Sequence, residues 1–279
     1  MKRRTVKTAA LYLLMIVIAL IFILPICILF VNSFKLSNSQ ILRDMNSFRI
    51  FLPVGELGLN NYVYIFERVD IMHYFKNSVI IFLASLVLGA IVNSTLGYAL
   101  SRLEFKGRKF IISLVISLMI IPTEAVMIPL LLMCHNMGLI NTLTVQFLPF
   151  LAGPFAIFLF YQGFLSLSSA IEEAAVIDGC SYIRIYTSIV VPLSKPTFVS
   201  VLILCSLGSW GDVLWATMVT RGKAVRPISV GMAQIFQTLP VQWGQVFAFA
   251  VVMTIPILLF FMIFQKHFIA STIASGVKG

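Results

Sequence analysis

Six apolar stretches, at 11–31, 78–98, 110–133, 145–164, 196–219 and 246–264, govern what this chain can fold into. Each approaches the roughly 20 residues that a helix needs to cross a hydrocarbon core of about 30 Å. Within them the only charged residues are two carboxylates, Glu124 and Asp212. One water-soluble core cannot absorb that much oil, since 60% of the 279 residues are hydrophobic and only 11% are charged. In lipid every backbone amide must find its partner inside a helix or a closed barrel. The stretches lack the ten-residue alternation of barrel strands. The sequence therefore predicts an all-α, polytopic membrane protein with six transmembrane helices.

Lys2, Arg3, Arg4 and Lys7 precede the first stretch, as in a secretory signal, but the apolar run is too long and no small-residue cleavage site follows. It reads as a retained span. An amino terminus in the cytoplasm places those four residues inside, together with Arg102, Lys106, Arg108, Lys109, Arg184, Lys195, Lys266 and Lys278. That is twelve of the twenty basic residues. The other eight fall mostly in a longer outer loop, where they weigh less on topology. Both chain ends are thus expected in the cytoplasm.

The net charge of +10 sits at span ends and not along one soluble face, which favours anchoring to anionic lipid over binding nucleic acid. Cys27, Cys134, Cys180 and Cys205 show no paired spacing and read as reduced packing residues. No glycine-rich loop ends in Lys-Ser or Lys-Thr, so the chain is not expected to cradle ATP itself. His73, His135 and His267 have no metal-ligand spacing, and no Gly-x-Ser-x-Gly elbow is present. Neither a catalytic, a cofactor nor a metal site is expected.

The polar interruption between the fourth and fifth stretches, at 168–192, carries the most information. Ser169 and Glu172 have capping-box spacing and predict a short helix through Glu173, Ala174, Ala175 and Ile177. Gly179 supplies a left-handed stop after Asp178, and Ser181 is a fair cap for a second helix. In that helix Tyr182, Ile185, Tyr186 and Ile189 share one apolar face, and Pro192 and Pro196 close the segment before the fifth stretch. Two roles suit such a pair: lying on the membrane surface, or docking a soluble partner. Glu172, Glu173 and Asp178 would be repelled by anionic headgroups, which favours docking.

Glu173-Ala174-Ala175, three residues, Gly179, nine residues and then Ile189-Val190-Val191-Pro192 resembles the E-A-A-x3-G-x9-I-x-L-P signature of membrane subunits of bacterial ABC importers, with Val191 in place of leucine. The stretches "YALSRLEFKGRKF", "SWGDVLW" and "FQKHFIASTIASGVKG" are similar to the carbohydrate-uptake group of those subunits. Relatives commonly carry Trp-Asn-Asp where this chain has Trp210-Gly211-Asp212. The resemblance spans nearly the whole chain. It implies a permease subunit in the bacterial plasma membrane, divided into 1–74 (cytoplasmic tail, first span and outer loop) and a transmembrane core at 75–279. It further implies a second membrane subunit, two copies of a cytoplasmic ATPase that binds ATP and magnesium, an extracytoplasmic solute-binding protein and a sugar substrate.

On that resemblance the loop is a cytoplasmic coupling helix pair: Glu173 would pair with a base on the ATPase, Gly179 would set the angle, and Tyr182, Ile185 and Tyr186 would supply apolar contact. Glu124 and Asp212 are each candidates to line the substrate route, because an ionisable group in hydrocarbon needs a cavity or a partner. The alternatives are an interfacial position for Glu124 and a capping role for Asp212 at a helix broken near Gly208 and Gly211. Trp210 and Trp215 suit sugar stacking or interfacial anchoring. Other solutes (peptides, amino acids, phosphate) and an ion-coupled secondary transporter are the competing functions. No clear internal repeat of the kind a secondary transporter carries is seen.

Overall fold

A computed structural model describes residues 2–276 and, within them, the side chains other than those of 2–7, 9–10, 206–207 and 266–276. Lys2, Arg3, Arg4, Lys7, Lys266, His267 and Lys278 therefore fall outside the described side chains. The described chain is almost wholly helical. Its only β pairing is an isolated antiparallel bridge between Lys35 and Leu57.

Three helices are long and apolar enough to cross a membrane unbroken: α1 (Lys2–Ser33), α4 (Ile71–Arg102) and the Trp243–Gln265 part of the last helix. The other three predicted spans are not single rods. Helices α5 (Arg108–Leu118) and α6 (Thr123–Asn136) meet at 106°, the turns at Thr144–Phe150 meet α7 (Pro154–Leu165) at 48°, and Tyr182–Leu193 meets α11 (Lys195–Gly211) at 79°. Among the described residues this makes three unbroken candidates, and up to six if each bent pair is one crossing, although the first arm of the third pair belongs to the 168–192 loop. Two of the breaks fall at proline, which lacks an amide and pushes its predecessor out of helical geometry. Pro122 is itself extended (φ −65°, ψ 136°) before α6, and Gly153 is extended before Pro154. Along 196–219 the helix also stops short: Asp212 is extended, and a separate short helix, Leu214–Val219, follows.

The chain forms two compact units. One runs to His73 and adds Gly231–Pro256. In it α1 leads to α2 (Asn38–Asp44), a 3-10 turn at Phe48–Phe51 and α3 (Asn60–Glu67). Lys35 is fully buried, and its ammonium is held by Asp44 at 2.8 Å and by the Arg49 carbonyl at 2.9 Å. Burying a lysine is tolerable only with such partners. Asn61 donates to the Ser33 and Lys35 carbonyls, while Asn38 accepts from the Trp243 amide and donates to the Val241 carbonyl. The apolar side chains of α1 from Leu11 to Leu24 are exposed one after another, as a lipid-facing or partner-facing helix requires.

The second unit comprises Tyr74–Val230 and the segment from Ile257. Its main core joins Tyr98 of α4, Phe160 and Phe164 of α7, Val201 of α11, and Ala175, Ile185 and Val190 of the 168–192 loop. Gly97 lets α4 and α7 approach closely: a β-carbon there would lie 2.6 Å from the Phe160 β-carbon and 3.0 Å from the Tyr161 amide nitrogen. Small residues at helix interfaces allow backbone contact that lipid cannot supply. A smaller core gathers Met127 and Cys134 of α6 with Val145, Trp215 and Val219.

Candidate functional site

The 168–192 loop folds as two short helices, α8 (Ser169–Ile177) and α9 (Tyr182–Ile185), the latter continued by a π turn at Tyr186–Val190 and a last turn at Val191–Leu193. Gly179 adopts φ +77°, and the end of α8 is closed by two crossed bonds, Cys180 N–H to the Ala175 carbonyl (2.9 Å) and Gly179 N–H to the Val176 carbonyl (3.0 Å). This is a Schellman ending, in which a left-handed residue satisfies carbonyls the helix leaves free. Ser181 accepts the Arg184 amide and starts α9 as expected. Pro192, with no amide to return to residue 188, is separated by Val191 from the end of the π turn, the wider winding that absorbs a lost bond.

The predicted capping box does not form. Ser168 occupies the cap position without a side-chain bond, and Glu172 turns to the transmembrane helices. Its Oε1 lies 2.9 Å from Arg102 Nε in a charge contact without a directed hydrogen bond, and its Oε2 accepts from the Tyr98 hydroxyl at 3.3 Å. Arg102 also donates to the Phe164 and Leu167 carbonyls at 2.6 and 2.7 Å, so one guanidinium ties the last residue of α4 to the end of α7 and the start of α8. Sequence reasoning gave Arg102 only a topological role. Its position at the end of a span opposite an acidic loop was the available signal.

The apolar face predicted for a partner is turned inward. Ile185 is buried, Ile189 is half-buried, and Tyr186 bonds Ser94 through its hydroxyl at 2.6 Å with its ring 5.1 Å from that of Tyr98. The expectation that Ile185 and Tyr186 supply outward contact is therefore corrected: a short helix resting on a bundle spends its first apolar stripe on the bundle. Ala175 is buried there too, whereas Glu173, Ala174, Asp178 and Pro192 are exposed. The most open residues of the outward apolar surface are Ile177, Ile183 and Tyr182, with 86, 76 and 61% of their surfaces exposed, and Ile171, Val176 and Leu193 are also exposed. Ile177 and Ile183 were missed as partner contacts, because a β-branched residue off the regular stripe carries no periodic signal.

The second feature is a cavity of about 780 Å³ inside the same unit, whose lining includes Glu124, Asp212, Asn93, Gln146 and Phe150. Glu124 sits in the first turn of α6, directly after the sharp bend at Pro122. Asp212 lies in the gap between α11 and the Leu214–Val219 helix, where its Oδ1 accepts the Trp215 amide (3.1 Å) and its carbonyl accepts from the Ser229 hydroxyl (2.6 Å). Capping and lining thus coexist at Asp212. Trp210 and Trp215 are not at the wall. Trp210 is buried edge-on against Phe75 and Phe82, and Trp215 is fully buried, donating its indole N–H to the Val145 carbonyl at 3.0 Å. Neither stacking on a sugar nor interfacial anchoring suits them, since the break at Asp212 lets both rings fold into the protein. Among the described residues no three His, Cys, Asp or Glu side chains come together as a metal site.

The model of the "Binding-protein-dependent transport system inner membrane component" family matches residues 85–273, a stretch that takes in both the cavity and the paired-helix loop. The chain is 34% identical to the arabinooligosaccharides transport system permease protein AraQ of Halalkalibacterium halodurans, over 94% of this chain and 93% of the relative. It is 33% identical to AraQ of Bacillus subtilis, over 99% and 97%. Among solved structures, a chain of a bacterial ABC transporter involved in import of the acidic polysaccharide alginate superposes with a TM-score of 0.81, covering 95% of this chain and 97% of that one at 22% identity, a likeness of fold. With more than half its length matched by the family model and near full-length relatives above 30% identity, this chain belongs to the family of binding-protein-dependent transport system inner membrane components.

Proposed function

We propose that this chain is one membrane subunit of an ATP-driven importer for a sugar or oligosaccharide, inserted in the bacterial plasma membrane with both ends and the 168–192 loop on the cytoplasmic side. The substrate class follows the arabinooligosaccharide relatives. The subunit crosses the membrane six times, three of the crossings interrupted, at Pro122, Gly153 and Asp212, and shares the pathway with a second membrane subunit. An extracytoplasmic binding protein delivers the sugar. Two copies of a separate ATPase bind ATP and magnesium and do the hydrolysis.

The observation that carries this reading is the Arg102 clamp. A load applied to α8 passes through Glu172 to Arg102, the last residue of α4. Nine residues earlier on the same helix, about 14 Å along its axis at 1.5 Å per residue, Asn93 lines the cavity. Helix α4 contains no proline, so it can carry the displacement as a rod. Ile177, Tyr182 and Ile183 form the docking surface, Glu173 and Asp178 give it a negative rim suited to a basic groove, and Gly179 holds the angle between the two short helices. Ala174 and Pro192 border that surface, while Ala175, Ile185, Tyr186 and Ile189 seat the pair on its own bundle. Glu124 and Asp212 line the route.

Cysteines introduced at Ile177 and Ile183 test the reading in membranes that contain the assembled complex. Both should crosslink to the ATPase subunit with a short bifunctional reagent, and the extent should change when nucleotide is trapped. Absence of any crosslink to a nucleotide-hydrolysing protein from either position would refute the coupling role. Sugar uptake driven by an ion gradient without an ATPase would establish the secondary-transporter alternative instead.

A further inference from the structure

We infer that the cavity is a charge filter: Glu124 and Asp212 make this subunit select uncharged or cationic sugars and reject anionic ones such as uronic acids. The inference rests on the sugar-import reading and sharpens it. Among the described residues that line the cavity, these two carboxylates are the only charged groups; no lysine, arginine or histidine joins them.

The two amide side chains of the wall lean the same way, while the hydroxyls of Ser85, Thr123 and Ser209 can donate or accept and favour neither sign. Gln146 is 92% buried, as its exposure is 8%, and it lines the cavity. Its Nε2 is spent on the Val225 carbonyl at 2.8 Å, but its Oε1 has no partner. A buried acceptor left alone is costly, so the site is arranged for something that donates. Asn93 offers no spare donor, since its Nδ2 is shared between the Gly89 and Leu151 carbonyls (2.6 and 2.8 Å) and its Oδ1 takes the Gly153 amide at 2.8 Å. The wall therefore presents one spare acceptor, Gln146 Oε1, beside two negative charges. Sugar hydroxyls donate to such a wall, and an ammonium does so more strongly. A uronate brings a third carboxylate that finds neither a base nor a spare side-chain amide donor here, and like charges set together across a low-dielectric site are a common means of excluding the wrong ligand.

The test uses the whole complex, trapped in nanodiscs without the binding protein so that the latter's own preference does not enter. Equilibrium dialysis at millimolar concentration compares three radiolabelled probes: a neutral glucose-based trisaccharide, the same sugar with one C6 oxidised to the carboxylate, and the same sugar with one hydroxyl replaced by an amine. The uronate should bind at least about tenfold more weakly than the neutral sugar, as expected for uncompensated like charge. The amino sugar should bind at least as well as the neutral one. In the Glu124→Gln and Asp212→Asn double variant the ratio of uronate to neutral binding should rise to within about threefold of unity. Equal binding of uronate and neutral sugar by the unmodified complex, or a ratio the double variant does not change, would overturn the filter while leaving sugar import standing. Binding of none of the three would refute the sugar reading and the filter with it. The comparison of the three probes on the unmodified complex decides the matter even if the double variant fails to assemble.

Discussion

At Arg102 a single side chain holds three partners, and the consequences of removing each differ. Replacing Glu172 by glutamine leaves the Arg102 bonds to the Phe164 and Leu167 carbonyls in place but removes the charge contact between α4 and α8. Replacing Arg102 by alanine removes all three and strands Glu172, 14% exposed, with only the Tyr98 hydroxyl. A bond to a charged group contributes about 1.5–3 kcal/mol. The Arg102→Ala protein should therefore lose roughly that much or more in thermal unfolding of the detergent-solubilised complex, whereas Glu172→Gln should unfold nearly as the parent does and lose transport per ATP hydrolysed. Equal stability losses in both variants would contradict this division. The outer segment makes a pH prediction of a different kind. The hydrogen bond from Lys35 holds the Asp44 carboxyl below its ordinary value of 3.8, with burial opposing. A depressed folded-state value gives stability that is full above the unfolded value near 3.8 and is lost as pH falls through the lower folded one. Amide exchange of the 38–50 segment should then be flat, after correction for intrinsic rates, from pH 8 to about 4.5 and accelerate only below that; an Asp44→Asn variant should lack the acid-dependent rise.

Elements were legible to the extent that hydropathy speaks for them. The helical spans at 78–98 and 246–264 and the two short helices around Gly179 lie where the sequence placed them, because apolar length and a glycine stop are local signals. The bends at Pro122 and Gly153-Pro154 and the helix break at Asp212 have no weight in a hydropathy window, so three interrupted stretches read as straight helices. Long-range pairing left little trace: a base at a span end opposite an acidic loop hints at a pair, but nothing in the sequence picks Glu172 as the partner of Arg102, 70 positions earlier, or says that Trp215 points to the Val145 carbonyl. The close approach of α4 and α7 at Gly97 was likewise invisible, since glycine in an apolar run has several uses. It makes a sharp prediction. The atoms that a methyl would meet, the Phe160 β-carbon and the Tyr161 amide nitrogen, are not flexible side-chain ends. Gly97→Ala should cost about 1–3 kcal/mol by overpacking, and Gly97→Leu should prevent assembly of the complex, as judged by co-purification of the ATPase. A Gly208→Ala control, where an added β-carbon meets nothing within 4 Å, should assemble normally.

At the scale of the whole molecule the decisive matter is which side of the elbow at 168–192, the two short helices turned about Gly179, does which job. The residues of the 168–192 loop divide by burial: Ala175, Ile185 and Val190 belong to the protein's own core, whereas Glu173, Ile177, Asp178, Tyr182 and Ile183 face outward. Family resemblance alone does not separate the two sets, because seating and docking depend on the same short stretch. The division can be read out by placing an aspartate on each side. Ile185→Asp puts an unpaired charge into a site 1% exposed, and such burial is among the few single changes expected to cost more than about 4 kcal/mol; this subunit should be absent from membranes on immunoblotting. Ile177→Asp and Ile183→Asp together leave the core untouched and charge only the open surface. That subunit should insert, resist protease as the parent does and hold its second membrane partner, yet release the ATPase at least tenfold more readily in detergent and show no sugar-stimulated hydrolysis, as expected when the apolar centre of an interface is lost. A doubly charged elbow that still couples hydrolysis to uptake would place the ATPase contact elsewhere on the chain. An Ile185→Asp subunit that reached the membrane at parental levels would mean the elbow is not seated as a rigid part of the core. Rigid seating beneath and an adhesive surface above are both needed, since a loop that gripped its motor but floated on the bundle would move without moving α4.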